Sequence, residues 1–595
     1  MQRNSAFGWD TAEVFVGRRR QPIIGGSPCR AGDNRGMTAS SLTRWLPFLK
    51  WPRPDRKLLK GELWAGMTVG LILVPQGVAY AALAGMPLVT GIYASLLPAL
   101  IAVLWGSSAR LSVGPTALTS LLIGASLTGL AEPGSAQWVA LAVWLALLTG
   151  ALQLLLGLVR FGWLLNLVTS PVLSGFTQAA ALLILASQLP ALLGLQGLWA
   201  DVIASPGLQH FDLVGASMGL GSIAALALFK RFWPGFPAVM VVMGVAGLAS
   251  WALGYEAGGG AVVGALPAGL PQPYWPGSLP WNTLGALIMP VLVITLVSFL
   301  ETASSAKVEH QNSGTRWNEN QDLIAQGLAK ISSGLCGSFP TSASFSRSAI
   351  NLYAGARTGW ATVFSCALVL VALLWLTPAL HHVPQAVLAA VVVTAITGLI
   401  KPGLLPQVWR ISRVEAAIAA LTFAVTLAAA PNLYWGVLAG LVVNLSHFLY
   451  QRLHPRIIEV GLHPDGSLRD RHLWHLPPLA PRLLALRMDA ELDFASASAL
   501  ERTVSERMAD FPQLAHVCLF AQPINRIDVT GVETFARLMA LVQRHGCTLH
   551  ISGLKLPVEQ ALERALVLVP GPHLFTYRTD AEALQALQRI ESAFD

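Results

Sequence analysis

The sequence predicts a polytopic α-helical membrane protein with a small α/β domain at its C-terminal end, and three observations carry that prediction. The 595 residues are 54% hydrophobic and only 12% charged, against roughly 25% charged in an average soluble domain. Between residues 61 and 450 lysine and arginine are nearly absent, and apart from Lys330 and Arg347 they stand at alternate breaks between apolar runs. From about Arg482 the pattern changes, and short β-rich runs (RLLALRM, AHVCLFA, CTLHISGL) alternate with amphipathic helical stretches.

The basic residues orient the membrane part. Arg110, Arg160, Lys230 with Arg231, Lys307 with Arg316, Arg357, and Lys401 with Arg410 and Arg413 mark one set of breaks. The others (AEPGSAQ, Gly194 to His210, Gly254 to Trp281, TPALHHVP, AAAPN) contain none. Positive charge in short loops marks the cytoplasmic side, so both ends are expected in the cytoplasm and the domain in the cell membrane. The net charge of +8 is spread over these loops and the two ends, which argues against nucleic acid as a partner. The five cysteines (Cys29, Cys336, Cys366, Cys518, Cys547) lack CxxC or metal-ligand spacing and read as buried structural thiols.

Residues 1–50 read as a cytoplasmic tail, partly disordered. Its first 36 residues are Gly- and Arg-rich without the apolar core of a signal peptide, so Arg18-Arg19-Arg20 is a poor twin-arginine signal. Met37 is an alternative start, because the amphipathic SLTRWLPFLKW and a basic segment from Arg53 to Lys60 follow it. Residues 51–452 form the transmembrane domain, 453–481 a linker containing LPPLAPR, and 482–595 the α/β domain, long enough for its own core.

The apolar runs divide into about fourteen spans, several shorter than the ~20 residues that cross hydrocarbon. Interruptions recur in matching places, at VPQGVAY and SVGPTALTS in the first half and at SFLETAS and FPTSASFSRSAIN in the second. Irregular backbone at membrane depth is tolerated only where protein or a water-filled cavity satisfies it. Paired interruptions in two sets of seven spans therefore point to inverted repeats with a midplane site.

Two helix N-termini converging there form an anion site, since each carries unpaired N–H groups and about half a positive charge. One follows Gly114-Pro115, with Pro at a first helical position, and presents Thr116 and Ala117. The other follows Pro340 and presents Ser344, Phe345 and Ser346. Arg347 and Glu301 are ionisable residues inside spans and so functional candidates, expected in one site, with a purely structural ion pair as the alternative. Gln76 and Tyr80, four residues apart after Pro75, share one face of a first span that Pro75 breaks.

Other motifs read as structural. Gly215 to Gly219 spells GxSxG but opens an apolar run, so it is expected to pack helices, as are Gly436 and Gly440. His381-His382 lies in a periplasmic break without further ligands at metal spacing and reads as a solvated pair, as does His310. In the α/β domain Asp528-Val529-Thr530-Gly531 reads as a helix cap and turn. Nothing resembles a catalytic constellation, and no metal or cofactor is expected.

Across nearly all its length after residue 50 the chain resembles the sulfate permease family of anion transporters. The resemblance rests on VPQGVAYAALAGMP (Val74 to Pro87), SARLSVGPTAL (Ser108 to Leu118), RFGWLLNLVTSPVLSGFTQAAALLI (Arg160 to Ile184), and NQDLIAQGLAKISSG followed by SFSRSAINLYAGART (Asn320 to Thr358). INRIDVTGVETF (Ile524 to Phe535) is similar to the signature turn of the STAS domain that such transporters carry. The resemblance implies fourteen spans as seven-plus-seven inverted repeats divided into core and gate domains. It also implies Gln76 and Tyr80 as substrate ligands through the PQ..AY motif, and Glu301 as the proton-coupling group beside the anion. Thr530 aligns with the position phosphorylated in anti-sigma-factor antagonists. Two departures are Lys330, where members often have Asn, and Thr341-Ser342-Ala343, which lacks a frequent glycine.

The expected function is secondary active transport of a small anion, foremost proton-coupled sulfate uptake by alternating access, by a homodimer. The alternatives are Na+-coupled bicarbonate transport, dicarboxylate symport, anion exchange, or a membrane anion receptor that signals through the STAS domain. Glu at 301 favours H+, since Na+ sites gather several oxygen ligands, which Thr302 and Ser305 would have to help supply.

Overall fold

The computed structural model describes residues 46–195, 212–233, 237–267, 269–278, 280–569 and 571–591. Most of the expected N-terminal tail, with Met37 and Cys29, and most of the break from Gly194 to His210 lie outside the described residues.

The membrane part consists of two successive helical series. The first holds α1 (Arg56–Leu83), the pair α2 (Val89–Tyr93) and α3 (Leu97–Trp105), α4 (Ala117–Leu127), α5 (Ala136–Leu158), α6 (Ser170–Leu192), α7 (Leu213–Phe232) and α8 (Ala238–Ala252). The second holds α9 (Trp281–Ser313), α10 (Glu319–Leu335), α11 (Phe345–Tyr353), α12 (Trp360–Val371), α13 (Gln385–Thr397), the short α14 (Leu404–Ile411), α15 (Arg413–Ala428) and α16 (Tyr434–Leu453). Among the described residues, six helices are long and apolar enough to cross a membrane. Large side chains such as Leu155, Leu182, Leu220 and Leu292 stand exposed on them, as a lipid-facing surface requires.

Short polar side chains start the helices. Asp55, Ser135, Asp212, Asn318 and Ser412 each accept a hydrogen bond from the backbone N–H three residues on, satisfying a donor the helix cannot. The buried Glu62 carboxylate on α1 does the same for a neighbour, accepting from the N–H groups of Arg357, Thr358 and Ala361 at the start of α12 at 2.8, 2.9 and 3.0 Å.

The helices sort into two bundles, each drawing on both series. In one, α5 and α3 lie along α10, α1 along α12, and α9 against α4, α5 and α11. In the other, α15 packs on α6, α14 and α16, and α13 on α6, α7 and α8. The bundles meet where α13 and α8 touch α1, α6 touches α4 and α16 touches α9. This is the core-and-gate division of the expected fold class.

Glycines allow the close helix contacts. A Cβ at Gly327 on α10 would sit 2.6 Å from Leu154 N and 2.8 Å from Gly150 O on α5. Gly219 faces Leu192 O in the same way, and Gly436 and Gly440 face Thr426 and Thr422, so the small-residue packing read from the sequence holds. Gly327→Leu is expected to destabilise the bundle by about 1–3 kcal/mol through overpacking against backbone. The check is thermal unfolding in detergent followed by size-exclusion chromatography, and an unchanged midpoint would contradict it.

Two of the four expected interruptions are continuous helix. α1 runs unbroken through Pro75, where one missing N–H is absorbed by a buried, packed helix. α9 runs unbroken through SFLETAS, and its hydroxyls bond back along it rather than opening it, Thr302 to Ser298 O and Ser304 to Leu300 O, both at 2.9 Å. The real breaks are Val113–Gly114 (β1) and Ser342–Ala343 (β2).

The C-terminal domain starts earlier than Arg482. β3 (Ile457–Leu462) and β4 (Leu468–Asp470) join β5 (Leu483–Met488), β6 (His516–Phe520), β7 (Thr548–Ser552) and β8 (Leu574–Tyr577) in one sheet of order β4-β3-β5-β6-β7-β8. β3 is antiparallel to both neighbours and β5 to β8 are parallel. The segment read as a linker hid these strands because β4 is three half-buried residues long, two of them charged. Helices α17 (Ala497–Asp510), α18 (Val529–Arg544), α19 (Leu556–Arg564) and α20 (Asp580–Glu591) accompany the strands. Asp528 caps α18 through Gly531 N at 2.8 Å and also binds Phe494 N at 2.9 Å, while Thr530 is exposed. Cys336, Cys366, Cys518 and Cys547 are buried and free.

Candidate functional site

The two breaks meet. β1 and β2 pair antiparallel, Val113 with Ala343 and Gly114 with Ser342, and each strand runs within three residues into a helix. Thr116 caps α4 and Ser344 caps α11. Because the strands are antiparallel and adjacent, the two N-termini converge on one place, each with N–H groups that have no intrahelical acceptor. Pro115 does not occupy the first helical position the sequence suggested, since Thr116, with extended backbone and a capping hydroxyl, stands between it and α4; α11 does follow Pro340, with β2 and Ser344 between them. The convergence expected of Thr116, Ala117, Ser344, Phe345 and Ser346 is there. Thr116, Ala117 and Ser344 are buried, while Phe345 and Ser346 are exposed.

Arg347 straps this junction together. Its side chain is 1% exposed. Nη2 donates to Pro115 O at 2.9 Å, Nε to Ser112 Oγ at 3.3 Å and Nη1 to Gln76 Oε1 at 3.3 Å. The guanidinium thus ties α11, the strand before α4, and α1 at one point, and holds positive charge behind both N-termini. Tyr80, one turn beyond Gln76, is buried in the same apolar cluster as Ala117.

Glu301 faces the junction from α9. Its Oε2 accepts from the hydroxyls of Thr116 and Thr119, each at 3.1 Å. Glu301 and Arg347 do not pair directly, because each spends its hydrogen bonds on other groups; the purely structural ion pair is not what the fold builds.

Lys330 is the residue the sequence undervalued. It is fully buried on α10, and Nζ donates to Gln153 Oε1 on α5 at 2.8 Å. Gln153 in turn donates to Thr295 O and Ser298 Oγ on α9, both at 3.0 Å. A network thus runs from Lys330 to the helix that bears Glu301, whose charge acts on that of Lys330. A lone Gln in the apolar run of α5 was the available signal.

A second polar cluster closes one end of this bundle. Asp322 accepts from Ser107 N at 2.6 Å, Ser108 Oγ at 2.5 Å and Trp317 Nε1 at 2.8 Å, and Arg110 pairs with the buried Glu309 at 3.1 Å. His310 belongs to it, with Nε2 3.1 Å from Ser108 Oγ and Nδ1 2.6 Å from Thr315 Oγ1. It is not the solvated residue expected, because the turn after α9 folds back onto the loop before β1.

Residues 59–422 match the sulfate permease family and residues 478–575 the STAS domain. The chain belongs to the sulfate permease family. Among similar proteins, a "probable sulfate transporter" of Mycobacterium tuberculosis is 30% identical over 92% of this chain and 98% of its own. The chloroplastic sulfate transporter 4.1 of Arabidopsis thaliana is 29% identical over 92% and 83%. The fold is that of the murine solute carrier 26 family member A9 anion transporter in its inward-facing state, with TM-score 0.83 at 20% identity over 96% of this chain and all of that one. The transmembrane domain of a cyanobacterial bicarbonate transporter gives 0.56 over 66% of this chain.

Proposed function

We propose that this family member is a secondary active transporter that takes up a small anion, foremost sulfate, with protons by alternating access. The observation that carries the proposal is the β1–β2 junction, where two capped N-termini and the buried Arg347 present positive potential at one point and a carboxylate stands beside one of the caps. Backbone N–H groups suit a dianion that must be released again, because they bind without a full ion pair. Glu301 shares the Thr116 cap with the anion, so its protonation and anion binding are coupled through one hydroxyl. Rocking of one bundle against the other would carry the site between the two faces. The same reading has fourteen membrane crossings, both ends in the cytoplasm, and a homodimer in the cell membrane, with the STAS domain regulatory and Thr530 its candidate phosphorylation site.

The test is uptake into proteoliposomes of radiolabelled sulfate, bicarbonate, fumarate and chloride under imposed pH or Na+ gradients. Concentrative sulfate uptake driven by inward protons is expected. Accumulation of bicarbonate only with Na+ would overturn the coupling, and binding without transport would make the protein a receptor.

Lys330 favours protons over Na+. An ammonium built into the bundle supplies the positive charge near Glu301 that a bound sodium ion would otherwise bring, and sodium needs oxygen ligands that the Gln153 network already engages. Lys330→Asn is expected to move the pH of half-maximal uptake upward, since a carboxylate that loses a nearby cation holds its proton more tightly. The other charged or titratable groups whose fields reach Glu301 or its neighbours are Arg347 and Tyr80, unchanged in this variant. An unmoved pH profile would reduce Lys330 to a scaffold residue.

A further inference from the structure

The fold supplies the ligand that the His381-His382 pair lacked in the sequence. Glu256 stands 125 residues away, so no spacing rule could find it. Its Oε2 lies 3.1 Å from His381 Nε2 and 3.2 Å from His382 Nδ1, and the three ligand atoms all fall within 4.8 Å of one another. Zinc bonds of about 2.0–2.2 Å in a tetrahedron set neighbouring ligands roughly 3.3 Å apart. The three side chains are 31%, 37% and 45% exposed, open enough for an ion to enter and a water to complete the set.

The backbone on both sides is held in place. His381 and Val383 accept from the N–H groups of Gly264 and Val263 at 3.0 and 2.9 Å, and Gln385 N donates to Ala261 O at 2.9 Å. Glu256 follows Tyr255, whose ring is buried and whose hydroxyl donates to Asp212, the cap of α7. Burial and the Asp212 carboxylate push that phenol above its ordinary range, so it stays a donor.

We propose that Glu256, His381 and His382 form a binding site for a divalent transition-metal ion, zinc foremost, that acts as a brake on transport. The two segments it joins are both crossovers between the bundles. One leads from α8 to α9, the other from α12 to α13. Any rocking of one bundle against the other must flex both, and an ion held by Glu256 from one and the His pair from the other stiffens a join that three backbone hydrogen bonds already make. The brake rests on the alternating-access reading of the preceding section; the site itself does not.

The two parts are tested separately on the full chain. Zinc alone, titrated into the purified protein against a chromogenic chelator, is expected to bind at one ion per chain. The Glu256→Gln variant and the His381→Ala/His382→Ala double variant should each lose affinity at least about tenfold. Cobalt should give the strong visible bands of a four-coordinate site in the wild type and not in the double variant. No binding, or equal binding by the variants, overturns the site. In proteoliposomes, zinc on the side that carries the His pair is expected to slow wild-type uptake several-fold and to leave Glu256→Gln unchanged, with equal rates in the absence of zinc. Zinc bound without any change in rate overturns the brake and leaves the site standing. If no anion is taken up at all, the proposed function fails while the titration still reports on the site.

Discussion

Arg347→Ala is expected to lower uptake at least about 100-fold, equivalent to roughly 2.7 kcal/mol, while the protein still elutes as a folded particle in detergent. Two losses combine. The variant removes the positive charge behind the two N-termini, and it leaves Pro115 O without the donor that lies 2.9 Å away. An unsatisfied buried acceptor costs about 1–3 kcal/mol, so the strand that sets Thr116 against Ser344 loosens as well. Arg347→Lys separates the effects, because it keeps a charge but not a fork that reaches Ser112, Gln76 and Pro115 together. Partial uptake by the Lys variant with none in the Ala variant would assign most of the effect to charge. Wild-type uptake by Arg347→Ala would remove the residue from the site.

The site was legible where chemistry is local. Gly114-Pro115 and Pro340 each announced a helix break, small hydroxyl residues followed, and Arg347 and Glu301 were conspicuous as charges in apolar runs. What joins them was not legible. The β1–β2 register, the sharing of Thr116 between a helix cap and Glu301, and the tie from Arg347 to Gln76 all depend on residues between 185 and 271 positions apart. Periodicity carries no information at that range.

The misreadings have the same origin. Pro75 and the hydroxyls of SFLETAS look like helix breakers in isolation, yet packing and bonds back along the helix absorb them. β3 and β4 were invisible because an edge hairpin of a mixed sheet needs no apolar alternation once its neighbour β5 is buried. Glu256 and Gln153 acquire meaning only from the partner the fold brings, His381 in one case and Lys330 in the other.

Glu301→Gln is expected to abolish accumulation driven by a pH gradient, at least about tenfold, while exchange of anion for anion survives within a few-fold. The amide keeps an oxygen that accepts from Thr116 and Thr119, both now at 3.1 Å, so the cap of α4 and the anion site keep their shape. What it loses is the ability to take and release a proton, and with it the link between proton binding and anion binding. Glu301→Ala is the informative contrast, because it removes the acceptor of two hydroxyls as well and should impair both modes. The measurement is paired: sulfate accumulation under an inward proton gradient, and sulfate-for-sulfate exchange at uniform pH, in the same vesicles. If Glu301→Gln still accumulates sulfate with the gradient, the carboxylate serves only to hold Thr116, and the proton must travel by another group. Lys330 would then be the next to substitute, since its network ends on the same helix.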